Sequence, residues 1–181
     1  MLQEDLIAGI RMRVAVVSVG ASTFRGQPAG SVDAARTYLQ DIDISDFATR
    51  DQEQFRRVLK THTDRMWRAL PSGTFGVSRK SLNLFLRDAF YNHYLRRRYG
   101  LHQLEGLLEI PIDSVVAESL RRVAPLEAPL WRGIKRLTPR THARYQEAAT
   151  EVARSRGIPR VHLDAFLWVE GRNRSGQLGA K

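Results

Sequence analysis

Apolar side chains recur every three or four residues along most of this chain, the period of a helix with one buried face. Over residues 51–70 the stripe is Phe55, Val58, Leu59, Met66, Trp67 and Leu70, and Pro71-Ser72-Gly73 ends it. Over residues 79–98 it is Leu82, Phe85, Leu86, Ala89, Phe90 and Tyr94, with Arg79, Asn83, Arg87 and Arg98 on the other face and Gly100 as the stop. Residues 113–123 predict a short helix through Val116 and Leu120. Residues 139–156 predict another, with Tyr145, Ala149, Val152 and Ala153 inward and Gly157 closing it. Residues 161–171 predict a last, more apolar helix in which Trp168 joins the core, as Trp67 does in the first stripe. Nearer the start, residues 6–19 fit a buried helix or a strand, Gly26-Gln27-Pro28 with Gly30 reads as a loop, and residues 31–40 predict a short helix. Strand signals are sparse and no repeat of fixed period exists. The expected fold is therefore all-α, a single compact domain over residues 1–181 with a polar, frayed tail at 171–181.

Composition narrows the chemistry. The chain has 181 residues, 43% of them apolar, enough for a real core. No apolar run approaches the ~18–20 residues that cross a bilayer. The first residues carry acids and lack a signal-peptide pattern, so a cytoplasmic, monomeric protein is expected. There is no cysteine, which excludes disulfides, thiolate nucleophiles and cysteine-held clusters. The five histidines show no metal-ligand spacing, so neither a metal nor an organic cofactor is expected. Lys and Arg number 29 against 19 Asp and Glu, a net charge of +10 in which Arg predominates. Guanidinium forks bind phosphate in pairs, so the excess suits a polyanion such as nucleic acid. An arginine-rich surface with no such partner, a membrane surface or a ribosomal partner fits the charge as well.

One stretch makes the reading specific. Gly76-Val77-Ser78-Arg79-Lys80-Ser81 followed by the apolar run Leu82 to Phe90 resembles the second half of a helix-hairpin-helix, and Ile110-Pro111-Ile112-Asp113 resembles the aspartate that opens a later helix in DNA glycosylases of that superfamily. Val161 to Trp168 and on to Gly171-Arg172 is weakly similar to a late helix of the same proteins. The motif covers about residues 67–98. Ser78 stands where the family has a second hairpin glycine and Phe75 where it often has proline. Lys80 and Asp113 lie 33 residues apart, a long connection closest to the archaeal 8-oxoguanine glycosylases. The resemblance implies a two-lobed helical helix-hairpin-helix glycosylase fold. It also implies a double-stranded DNA partner bearing a damaged or modified base, such as an oxidised purine or a modified base of phage DNA.

The same resemblance assigns roles. Lys80 becomes the nucleophile at C1′ and Asp113 the carboxylate that stabilises the oxocarbenium-like sugar or orients the attacking group. A lysine attacks only as the neutral amine, a form that burial or a nearby cation favours. Gly76, Val77, Ser78, Arg79 and Ser81 would hold a DNA phosphate at a helix start. Arg25 and Gln27, in the N-terminal loop, are candidates for filling the gap left by a flipped base. Trp131 is a candidate for stacking on that base. If Lys80 only touches phosphate, Asp113 would activate water and leave an intact abasic site. Each residue also has a plain reading: Lys80 a solvated charge, Asp113 an N-cap, Trp131 a loop aromatic over the core, and Arg96-Arg97-Arg98 a charged helix end. A helix-hairpin-helix protein that binds DNA without chemistry is the alternative reading of the whole.

Overall fold

Every regular element of the computed structural model is helical, and the described residues, 2–169, contain no strand. The chain divides into two compact units, Met1–Leu108 and Glu109–Lys181, where the helical pattern led us to expect one domain. The expected tail at 171–181 and the Gly171-Arg172 pair expected to end the last helix lie outside the described residues.

The first unit holds α1 (Leu2–Ser18), α2 (Ser31–Asp41), α3 (Gln52–Ala69), α4 (Phe75–Tyr91) and α5 (His93–Arg98). The ambiguous segment near the N-terminus is a helix. Ile7, Val14, Ala15 and Ser18 share its buried face, whereas Leu6, Met12 and Val17 stay exposed. The other four helices all pack on α4. Phe55, Leu59 and Met66 of α3 and Leu82, Phe85 and Leu86 of α4 lose essentially all contact with water, each such side chain contributing ~1.5–3 kcal/mol. Trp67 and Tyr94, expected on buried faces, are instead about half exposed, at 45% and 54%. A polar cluster lies between α2 and α3. The buried His62 ring has Tyr38 Oη 3.1 Å from Nδ1 and Asp46 Oδ2 3.1 Å from Nε2, with the Phe47 ring 4.9 Å away.

The second unit packs α6 (Ser114–Val123) against α7 (Pro139–Ser155), with residues 163–169 helical beyond them. Ile110, Ile112, Val116, Leu120, Tyr145, Ala149, Leu163 and Leu167 form its core. Trp168 is 53% exposed, so the last helix turns Leu163 and Leu167 inward rather than its tryptophan.

The largest departure from expectation is at the start of α4. Thr74 is its N-cap, the Thr74 hydroxyl accepting from the Val77 N–H at 3.4 Å, and the Ser78 N–H already bonds the Thr74 carbonyl at 3.1 Å. Gly76-Val77-Ser78 therefore lies within the helix and forms no hairpin. The turn between α3 and α4 is Leu70 to Thr74, and its residue with positive φ is Ser72, at 50°. The Gly73 N–H bonds the Leu70 carbonyl at 3.2 Å, and Gly73 packs against the end of α3 so closely that a Cβ would sit 2.5 Å from the Trp67 carbonyl oxygen and 2.9 Å from Leu70 Cβ. At the other end Asn92 interrupts the predicted 79–98 helix, its Oδ1 capping Tyr94 and Leu95 N–H groups at 3.1 Å to start α5. Because the Gly73 clash is with backbone, Gly73→Ala is expected to cost about 1–3 kcal/mol, read as a lower urea midpoint; an unchanged midpoint would show that the turn relaxes freely.

Candidate functional site

Burial of α4 decides which of its side chains can meet a ligand. Gly76, Val77, Ser78, Arg79, Ser81, Leu82, Asn83, Phe85, Leu86, Ala89 and Phe90 are all buried. The half-open residues beyond its first turn are Lys80, Leu84, Arg87 and Asp88, whose spacing of four, three and one places them on one stripe. Asp88 is engaged there, accepting from Arg87 Nε and from the Ser18 hydroxyl, each at 2.8 Å. Lys80 is thus the amine on the accessible side of α4.

The five residues expected to cradle a phosphate beside Lys80 need correction. The Thr74 cap winds Gly76, Val77 and Ser78 into the helix. Arg79 is only 9% exposed; its Nη1 donates to Thr63 Oγ1 at 2.8 Å, and its guanidinium stands 5.8 Å from the centre of the Phe75 ring. Ser78 and Ser81 are fully buried, and their hydroxyls have no hydrogen-bond partner among the described residues. These side chains are buried within the unit rather than facing outward.

Asp113 is built from its own unit. The approach to it is buried at Ile110, Pro111 and Ile112. The side-chain amide of Gln146 on α7 grips Ile110 from both sides, Oε1 accepting from the Ile110 N–H at 3.1 Å and Nε2 donating to the Ile110 carbonyl at 2.8 Å. Behind it the buried His142 has Nε2 3.1 Å from Gln146 Nε2 and 3.6 Å from Glu109 Oε2. The extended Asp113 then caps α6, its Oδ1 accepting from the Val116 N–H at 3.0 Å. That bond orients the half-buried carboxylate. The sequence carried no signal for Gln146, because a lone glutamine on an amphipathic helix is indistinguishable from a surface residue.

The other candidates separate. Arg25 is exposed. Gln27 is half-buried, with its amide nitrogen buried and lacking a hydrogen-bond partner among the described residues. Trp131 lines a cavity of about 400 Å³ in the second unit and stands edge-on to Tyr145, ring centres 6.1 Å apart. Tyr145 donates its hydroxyl to the Pro129 carbonyl at 2.9 Å. Burial raises the Tyr145 pKa, and the charges of Arg121 and Arg144 partly offset that. Asp113 is not among the cavity's lining residues. It caps the first turn of α6, whereas Arg121, a lining residue, is eight positions further on, roughly 12 Å along the axis at ~1.5 Å per residue. Trp131 therefore lines a cavity that does not include Asp113.

Among the described residues no group of three or more His, Cys, Asp or Glu side chains stands ready to hold a metal, and no helix is long and apolar enough to cross a membrane. Comparison with protein-family models, curated proteins and solved structures finds no match for this chain.

The cap and the clamp can be separated experimentally. Asparagine caps helices as well as aspartate, so Asp113→Asn should leave stability within a few tenths of a kcal/mol, while Asp113→Ala should cost ~1 kcal/mol. Gln146→Leu leaves a buried N–H and carbonyl of Ile110 unpaired and should cost about 2–4 kcal/mol. Equal midpoints for all three in urea unfolding would contradict the local architecture described.

Proposed function

We propose that this chain is a DNA glycosylase that flips a damaged or modified base out of double-stranded DNA and removes it, working as a monomer without metal or cofactor. The observation that carries the reading is Asp113. It is a carboxylate on the residue that caps the start of α6, aimed by its bond to Val116, on a backbone approach held by Gln146. Supporting it are the resemblance of Ile110-Pro111-Ile112-Asp113 and of Arg79-Lys80-Ser81 to the superfamily's motifs, the place of Lys80 on the half-open stripe of α4, and the net charge of +10.

In this reading the neutral Lys80 amine attacks C1′ and the N-glycosidic bond breaks, its electron pair leaving with the base, which takes up a proton. Asp113 stabilises positive charge on the sugar as the bond stretches. The bound amine loses a proton as the sugar ring opens to an imine. Loss of the C2′ proton and of the 3′ phosphate then cuts the strand by β-elimination. DNA is held by exposed cations rather than by the first turn of α4, because Arg79 and Ser81 are occupied or buried within the unit.

Borohydride reduction tests this on duplexes carrying oxidised purines and other modified bases. The wild-type chain is expected to form a covalent protein–DNA adduct and Lys80→Ala none. Asp113→Asn should keep its fold and lose about 10²–10³ in the rate of base removal, the usual effect of deleting one stabilising group. Abasic product without an adduct would reassign the chemistry to water activated by Asp113. Absence of both adduct and abasic product would overturn the enzyme reading.

A further inference from the structure

The second unit holds a site that the proposed chemistry at Asp113 does not use. Its cavity of about 400 Å³ falls within the ~300–1,000 Å³ typical of small-molecule sites. Four guanidinium-bearing residues, Arg121, Arg132, Arg136 and Arg144, line it, and no acidic residue does. They come from the last turn of α6, the connection that follows, and α7. Arg144 spends one N–H on the Glu127 carbonyl, at 3.4 Å. Among the described residues no salt bridge engages Arg121, Arg132 or Arg136, although Arg57, Arg87, Arg98 and Arg154 elsewhere on the chain do find acidic partners.

Like charges converge at a cost that a bound anion removes, and planar guanidiniums match the paired oxygens of a phosphate. Beside them Trp131 offers an aromatic wall that Tyr145 supports edge-on, with the Tyr145 hydroxyl tied to Pro129. Indole stacks on any nucleobase, because every base has a π-face. Phosphate-seeking forks next to a stacking surface are the complement of a nucleotide, and bare phosphate would leave the indole without a role.

We propose that this cavity is a nucleotide-phosphate site, in which Arg121, Arg132, Arg136 and Arg144 hold the phosphate and Trp131 stacks on the base. The nucleotide reaches it either free or as one unit of a DNA strand. The site is independent of the glycosylase reading and stands or falls on binding alone.

Calorimetric titration of the full chain decides it, with thymidine, inorganic phosphate, thymidine 5′-monophosphate and an eight-nucleotide thymidine strand as probes. Arg132 and Arg136 are exposed, so Arg132→Gln/Arg136→Gln keeps the fold. The monophosphate is expected to bind saturably and thymidine not to bind. The double variant should weaken the monophosphate at least tenfold. Trp131→Ala should weaken the monophosphate several-fold and leave inorganic phosphate unchanged. Binding of the strand much tighter than the monophosphate, and equally sensitive to the double variant, assigns a DNA source; equal or weaker strand binding assigns the free nucleotide. No binding by any phosphate-bearing probe, or the same affinities in the double variant as in the wild type, overturns the site. Insensitivity of the monophosphate to Trp131→Ala removes the base and overturns the nucleotide assignment.

Discussion

The burial of α4 is the constraint on which the first unit depends. Four helices pack on it, so nearly every side chain along it must be apolar or find its polar partner inside. Arg79 satisfies this by donating to Thr63 and lying over Phe75, whereas the buried Ser78 and Ser81 hydroxyls are exceptions, with no hydrogen-bond partner among the described residues. A helix enclosed in this way has one narrow stripe on which chemistry can occur, and Lys80 is on it. The basic run Arg79-Lys80 thus contains two cations in different settings, Arg79 buried against Thr63 and Phe75 and Lys80 half-exposed.

The same logic, inverted, governs the second unit. There the functional candidates sit at the two ends of α6 rather than along a face. At the first turn the helix needs acceptors for its open N–H groups, and Asp113 supplies one. Near the last turn Arg121, close to the carbonyl end where cations are favoured, joins three further guanidiniums around a cavity. One short helix thereby carries a carboxylate at its positive end and a phosphate-seeking cluster toward its negative end. Gln146 ties the backbone before Asp113 to α7, the helix that also supplies Arg144 and Tyr145.

Much of this was legible in the chain itself. The apolar periods placed α3, α6 and α7 within a residue or two of their bounds, and Asp113 was readable as both cap and candidate carboxylate because the two roles use the same oxygen atoms. What misled was local competition at 70–78. Two glycines stand there, and the family-like spacing drew the turn to Gly76, while the physical signal was Thr74, a side chain that caps a helix, after Gly73, a position with no room for a Cβ. Trp67, Tyr94 and Trp168 stay about half exposed because amphipathic period assigns a face but not how far a neighbour covers it, and Tyr94 lies on α5, beyond the Asn92 break in the expected helix. The arginine cavity was not legible at all, since Arg121 comes together with Arg132, Arg136 and Arg144 only through the tertiary fold.

The proposed function requires that this chain break an N-glycosidic bond. Mass-spectrometric detection of the free base, after incubation with duplexes that each contain one modified base, tests that requirement without assuming how the sugar is handled. The account predicts a free base appearing in step with abasic sites for at least one modification, and not with unmodified duplex. Duplex binding with every base still attached would contradict it and leave a non-catalytic DNA-binding protein.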